Sequence, residues 1–181
     1  MAIRSLCITE GGDRPTIETF IGMHRAGIEI TVTIPPDHAN RQLLIDAGVP
    51  TIPLQLKHNF NKADIATLRE ELVRGRYHIL HTFNSKAVTN GLRACKGLPV
   101  KVVVYRGIVG NLSFLDPMSW MRYLNPRIDR IVLAATKADR LHNESHDRLE
   151  AILSLLAENA IEKAEHHGSE VKVLAMAAIR A

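Results

Sequence analysis

Residues 3–34 read IRSLCITEGGDRPTIETFIGMHRAGIEITVTI, and this stretch decides the fold. A short apolar run, Ile3 to Ile8, leads into the turn Gly11-Gly12. Asp13 with Pro15 then opens a helix in which Ile17, Phe20, Ile21 and His24 share one face, and Gly27 closes it. Ile28 to Ile34 is a second apolar run. Two apolar runs separated by an amphipathic stretch with its own start and stop signals form the strand–helix–strand unit of an α/β protein.

The same alternation continues outward. Pro35-Pro36-Asp37 breaks the chain, Ala39 to Ala47 is a short helix ended by Gly48, and Thr51 to Leu56 is a short strand. Lys62 to Arg74 is a helix with Ile65, Leu68 and Leu72 inward and Gly75 as its stop. His78 to Thr82 is the fourth strand and Ser85 to Lys96 the helix after it. The valines of Val100 to Tyr105 predict a fifth strand buried on both faces. From Arg106 to Pro117 there is no period, which marks a loop carrying Gly107, Gly110 and Asn111. Met118 to Leu124 follows as a short helix and Arg127 to Ala135 as a sixth strand. Asp147 and Glu150 supply a cap and capping-box partner for one long helix, with Leu149, Ile152, Leu153, Leu156, Ala160 and Ala164 inward and Gly168 at its end. Val171 to Ala175 is the last strand.

The pattern predicts a single doubly wound α/β domain of Rossmann-like type over residues 1–181, with a largely parallel sheet of six or seven strands. Such sheets bind ligands beyond the carboxyl ends of their strands. That rule selects the loops Gly11 to Arg14, Thr82 to Lys86 and Arg106 to Asp116.

Composition narrows the function classes. The chain has 181 residues, 46% of them apolar, enough for one sizeable core. Its net charge of +4 is spread among acids rather than gathered in blocks, so charge gives no sign of nucleic-acid binding, and a phosphorylated small molecule fits as well. Cys7 and Cys95 lack metal or redox spacing, which points to a reducing cytoplasm. No apolar run reaches membrane-spanning length, and no signal peptide is expected.

Candidate site residues come from the strand ends. Backbone amides at Gly11 and Gly12 can approach a diphosphate where a helix dipole favours negative charge, although a plain tight turn explains the pair too. Arg106 beside Gly107 offers a planar donor fork to a phosphate or acidic acceptor; its plain role is a surface ion pair. In Asn84-Ser85-Lys86 the plain reading is that Ser85 caps a helix. His81 can face a ligand cleft or simply pack in its strand. Thr136-Lys137-Ala138-Asp139 follows the sixth strand as a lysine-x-aspartate turn. There Asp139 can accept from a guanine ring and Lys137 can lie over it, yet no phosphate-binding G-x-x-x-x-G-K-[ST] loop precedes the turn. His142 and His146 lack a third ligand and the order of a zinc motif, so no metal is expected. His166-His167 suits a helix C-terminus. No catalytic triad is evident, and no cofactor is expected.

Two resemblances follow from these residues. Residues 3–132 resemble the N-terminal domain of family-4 GT-B glycosyltransferases. The likeness lies in Gly11-Gly12, Arg25 to Ile30, His78 to His81, Asn84-Ser85-Lys86, Tyr105-Arg106-Gly107, Gly110-Asn111, Asp116-Pro117 and Leu124 to Asp129. It implies an acceptor-side half that holds sugar or phosphosugar through Gly11, Gly12, His81, Asn84, Lys86, Arg106, Gly107 and Asn111. The donor-binding half is absent, so transfer by this chain alone is not expected. Residues 127–181 are similar to the C-terminal part of YcjX-like P-loop NTPases, in Asp129-Arg130-Ile131, Ala134 to Asp139, Ser145 to Leu153 and Ala175 to Ala181. That likeness implies base recognition by Thr136, Lys137 and Asp139. Together the two describe a chimera joined inside the strand at Arg127 to Val132, and leave three readings: sugar-binding domain, nucleotide-binding module, or scaffold without a ligand.

Overall fold

The computed structural model describes residues 3–9, 11–105, 129–136 and 146–176. The chain divides into two units, Met1–Gly107 and Ile108–Ala181.

In the first unit the elements run β1 (Arg4–Ile8), α1 (Arg14–Arg25), β2 (Glu29–Ile34), α2 (Arg41–Asp46), β3 (Thr51–Pro53), α3 (Lys62–Arg74), β4 (Ile79–Thr82), α4 (Ser85–Ala94) and β5 (Lys101–Val104). The five strands form one parallel sheet in the order β3-β2-β1-β4-β5. Alternation along each strand sends neighbouring residues to opposite faces. Cys7, Ile30, Val32 and Ile34 therefore pack under Ile17, Phe20 and Ile21 of α1 and Leu44 of α2. Leu6, Ile8 and Leu80 pack on the other face under Leu68 and Leu72 of α3 and Ala87 and Ala94 of α4. Helices on both faces of a parallel sheet make the unit a doubly wound, Rossmann-like α/β fold.

Local chemistry sets the element ends. The Asp13 carboxylate accepts from the Thr16 N–H at 3.1 Å and starts α1, and Gly27 at φ 80° ends it. Asn61 caps α3 by accepting from Ala63 and Asp64 N–H. At the far end of α3 the left-handed residue is Arg76 (φ 49°), while the expected stop, Gly75, stays right-handed at φ −79°. Gly75 is needed for space instead: a Cβ there would lie 2.1 Å from the Tyr77 ring. The outer strand β3 is three residues long, follows Pro50 and ends in Pro53.

β5 corrects one expectation. Its valines are not buried on both faces, because β5 stands at the end of this sheet: Val102 packs against the α3–α4 side, whereas Val103 is 43% exposed.

The second unit contains β6 (Arg130–Thr136), α5 (His146–Leu156), α6 (Glu158–His166) and β7 (Glu170–Met176). β6 and β7 pair in parallel in a sheet of their own, with an ion pair from Arg130 to Glu170 at its start. Among the described residues the expected sheet of six or seven strands is corrected to one of five strands and one of two, with β6 paired to β7. The expected long helix is two helices meeting at Ala157, which is 2% exposed. The apolar stripe is divided between them, and Ile152 and Leu156 are exposed rather than inward. Glu150 is not a capping-box partner among the described contacts; its Oε1 accepts from the Ala175 N–H of β7 at 2.7 Å. The C-terminus of α6 follows expectation, with His167 as cap and Gly168 at φ 81°. No helix among the described residues is long and apolar enough to cross a membrane.

Candidate functional site

Strand order reverses between β1 and β4, since the chain leaves β1 toward β2 on one side and later returns to its other side. The ends of these strands lie abreast, Ile8 opposite Thr82. Just beyond, the Thr9 N–H donates to Thr33 O and the Phe83 N–H to Ile8 O, both at 3.3 Å. From this switch point one connection leaves through Gly11-Gly12-Asp13 into α1 and the other through Phe83-Asn84 into α4.

The two glycines differ in kind. Gly12 is buried, its missing Cβ leaves room for the Ile17 side chain (2.9 Å), and its carbonyl accepts from Asn40 Nδ2 at 3.0 Å. Gly11 is exposed, and a Cβ there would meet His38 Nε2 at 3.0 Å. The first-turn amides of α1 are answered by Asp13, whose carboxyl is held below its ordinary range by hydrogen bonds from the Thr16 hydroxyl and N–H.

At the second connection Asn84, not Ser85, is the helix cap, with its Oδ1 accepting from the Ala87 N–H at 2.8 Å. Ser85 is exposed and Lys86 is half-buried in the first turn of α4. His81 sits in β4 between Cys7 and Val103 of the flanking strands. Its ring lies 4.2 Å from that of Phe83, which meets Phe20 edge-on at 4.8 Å and Tyr105 at 5.5 Å. Burial pushes the His81 imidazolium down from 6.5 to about 4, so the ring is neutral at pH 7 and packs as an apolar group with a polar edge.

That shift has a sign for stability. With the folded value below the unfolded one, the unfolded chain binds more protons between these values, so His81 contributes full stability above pH 6.5 and loses it as pH falls toward 4. The urea midpoint is expected to fall more steeply over this window in the wild type than in His81→Phe. Equal slopes would show that His81 is not buried neutral.

Arg106, Gly107, Asn111, Lys137 and Asp139 lie outside the described residues, as do the Arg106 to Asp116 loop and the Met118 to Leu124 helix. Thr136 is the last residue of β6, opposite Met176. Among the described candidates, Gly11, Gly12, Asn84 and Lys86 stand on the connections leaving one sheet end, and His81 packs against Phe83 one residue before the end of β4. His38 and Asn40 are the residues that sequence reasoning missed. Pro35-Pro36-Asp37 had signalled only a chain break, and nothing in the spacing linked it to Gly12. Both cysteines are free, and burial pushes each thiol up to about 12, so neither is a ready nucleophile. Among the described residues no cluster of His, Cys, Asp or Glu could hold a metal ion.

Comparison with known proteins adds two kinds of likeness. The family model described as YcjX-like family, DUF463, matches residues 104–181, close to the bounds of the second unit and beginning well before Arg127. No curated protein matches the sequence. Solved structures similar to the chain include a glycosyltransferase from Rickettsia africae ESF-5, with 10% identity, coverage of 96% of this chain and 68% of that one, and a TM-score of 0.47. MurG from Acinetobacter baumannii is similar at 9% identity, with coverage of 99% and 69% and a TM-score of 0.46. UDP-glucose 4-epimerase from Thermus thermophilus, in complex with NAD, is similar at 12% identity, with coverage of 94% and 54% and a TM-score of 0.40. Likenesses of this size assign no residue a role.

Proposed function

We propose that the first unit binds a sugar or phosphosugar at the β1–β4 switch point, as a glycosyltransferase-like (GT-B, family 4) acceptor-side domain. The observation that carries this reading is the reversal of strand order, which sets the Gly11-Gly12 loop beside the Asn84–Lys86 turn. His81 supplies a neutral ring near that edge, and Arg106, Gly107 and Asn111 are the further ligand contacts that this reading expects. Buried free thiols are consistent with a cytoplasmic protein.

A second reading is favoured by the family match to residues 104–181. In it the second unit is a nucleotide-binding module that uses Thr136, Lys137 and Asp139 for the base and lacks a phosphate loop, and the chain is a composite of two parents. Base contacts without a phosphate cradle bind weakly.

Thermal unfolding separates the two. A ligand at about a hundredfold over its dissociation constant stabilises by roughly 2.7 kcal/mol. Nucleotide sugars and sugar phosphates are expected to raise the melting temperature of the wild type and of Asp139→Ala, but not of Arg106→Ala. A rise with guanine nucleotides that is lost in Asp139→Ala would overturn the first reading in favour of the second. Silence toward both ligand classes leaves a scaffold.

A further inference from the structure

Charges that are mixed along the whole sequence are sorted by the fold on one side of the first unit. No acidic residue occurs between Asp46 and Asp64, or between Glu71 and Asp116. These two stretches supply the loop before α3 and the whole of α4, and hydrogen bonds bring them together. Asn90 of α4 accepts from the Asn61 N–H and donates to His58 O, while the Thr89 hydroxyl donates to Asn59 Oδ1 at 3.2 Å. Asp64, the nearest acid in sequence, is buried and accepts from the Lys57 N–H. The joined surface carries Lys57, Lys62 and Arg93, all exposed, and neither stretch brings a carboxylate to it. A ring is displayed in the middle. Phe60 is held at φ 58°, a left-handed conformation strained for a bulky residue, and its side chain is 43% exposed. A packing role would bury that ring, and a turn role alone would place glycine or asparagine there. The Arg93 guanidinium lies over the ring, 4.8 Å from its centroid.

We propose that the Phe60–Arg93 pair and the flanking Lys57 and Lys62 bind single-stranded nucleic acid. An aromatic ring and a planar guanidinium both stack an unpaired base, and the lysines meet the phosphates on either side of it. A duplex hides its base faces, and an acidic peptide uses the charge without needing the ring. A lipid surface would draw the Arg93 charge into an apolar layer along with Phe60, which is costly. The site is independent of the sugar reading, since it shares none of that site's residues.

The test is fluorescence anisotropy of a short dye-labelled oligothymidylate titrated with the full chain over a range of salt concentrations. Contacts from Lys57, Lys62 and Arg93 to a single strand give a slope of log affinity against log salt of about −2. Phe60→Asn suits the left-handed backbone and Arg93→Met keeps a good helix former, and urea midpoints establish that each variant folds. Each is expected to weaken oligonucleotide binding by about tenfold, and Lys57→Gln to make the slope shallower by about 0.7. The matching duplex, polyglutamate and anionic vesicles should all bind more weakly than the single strand. Equal affinity of wild type and folded Phe60→Asn would overturn the proposal. Polyglutamate binding as tightly as the oligonucleotide would overturn it in favour of an acidic protein partner, and vesicles doing so would overturn it in favour of a lipid surface. Absence of oligonucleotide binding at low salt would overturn it outright.

Discussion

Phe20→Ala is expected to lower the unfolding free energy of the first unit by about 3–5 kcal/mol. The ring is fully buried among Ile17, Val32 and Leu44 and meets Phe83 edge-on. Truncation removes its transfer free energy and leaves a void that two rigid layers cannot close. The edge-to-face pair is lost as well, worth about 0.5–1.5 kcal/mol beyond area. Because Phe83 stands between Phe20 and His81, its loosening would let water reach the imidazole. His81 should then titrate nearer its ordinary value of 6.5 than at about 4. Urea unfolding and histidine NMR titration measure the two effects. Ile152→Ala on α5, where the side chain is 55% exposed, serves as the contrast and should stay within about 0.5 kcal/mol. A Phe20→Ala midpoint equal to that of the wild type would refute the two-core description.

The second large effect falls on Asn90, a fully buried amide in α4. Its Oδ1 accepts from the Asn61 N–H at 2.9 Å, and its Nδ2 donates to His58 O at 2.8 Å. One side chain thus holds the connection between β3 and α3, including Phe60 in the left-handed region at φ 58°. Asn90→Ala leaves a donor and an acceptor without partners, at about 1–3 kcal/mol each, so a total loss of about 2–6 kcal/mol is expected. Asn90→Asp keeps the acceptor for Asn61 but sets an oxygen against His58 O, so it should not rescue stability. Amide hydrogen exchange at Asn61 is the local readout: it should accelerate in Asn90→Ala, which removes its acceptor, and protection retained there would refute the clamp.

The first unit was legible in the sequence because its signals are local and agree. Asp13, Pro15 and Gly27 bracket α1 as read, and the stripe Ile17, Phe20, Ile21 is buried as read. The α/β class followed from the alternation of short apolar runs with such helices. Legibility failed where a distant partner decides. The valines of β5 look the same in the middle of a sheet as at its end, and only pairing tells them apart. The run from Asp147 to Gly168 keeps one apolar period, yet it bends at Ala157 without a proline or glycine to announce it. Glu150 had capping-box spacing, but a backbone N–H of β7 captured it from outside the helix. The same limit applied to the site. Gly11, Gly12 and Asn84 stand at strand ends and could be found by rule, whereas His38 and Asn40 reach them across a gap in sequence that only the fold closes.

The three-residue outer strand β3, with proline before it and proline at its end, has a consequence for behaviour in concentrated solution. Prolines carry no N–H, and the Ile52 N–H faces β2 in the parallel register that pairs Val32 with Thr51, so an incoming chain would find Thr51 as the one outward strand donor of β3, too few to template a ladder. That border is therefore resistant to runaway polymerisation, which leaves the protein's solubility least sensitive to surface changes along it.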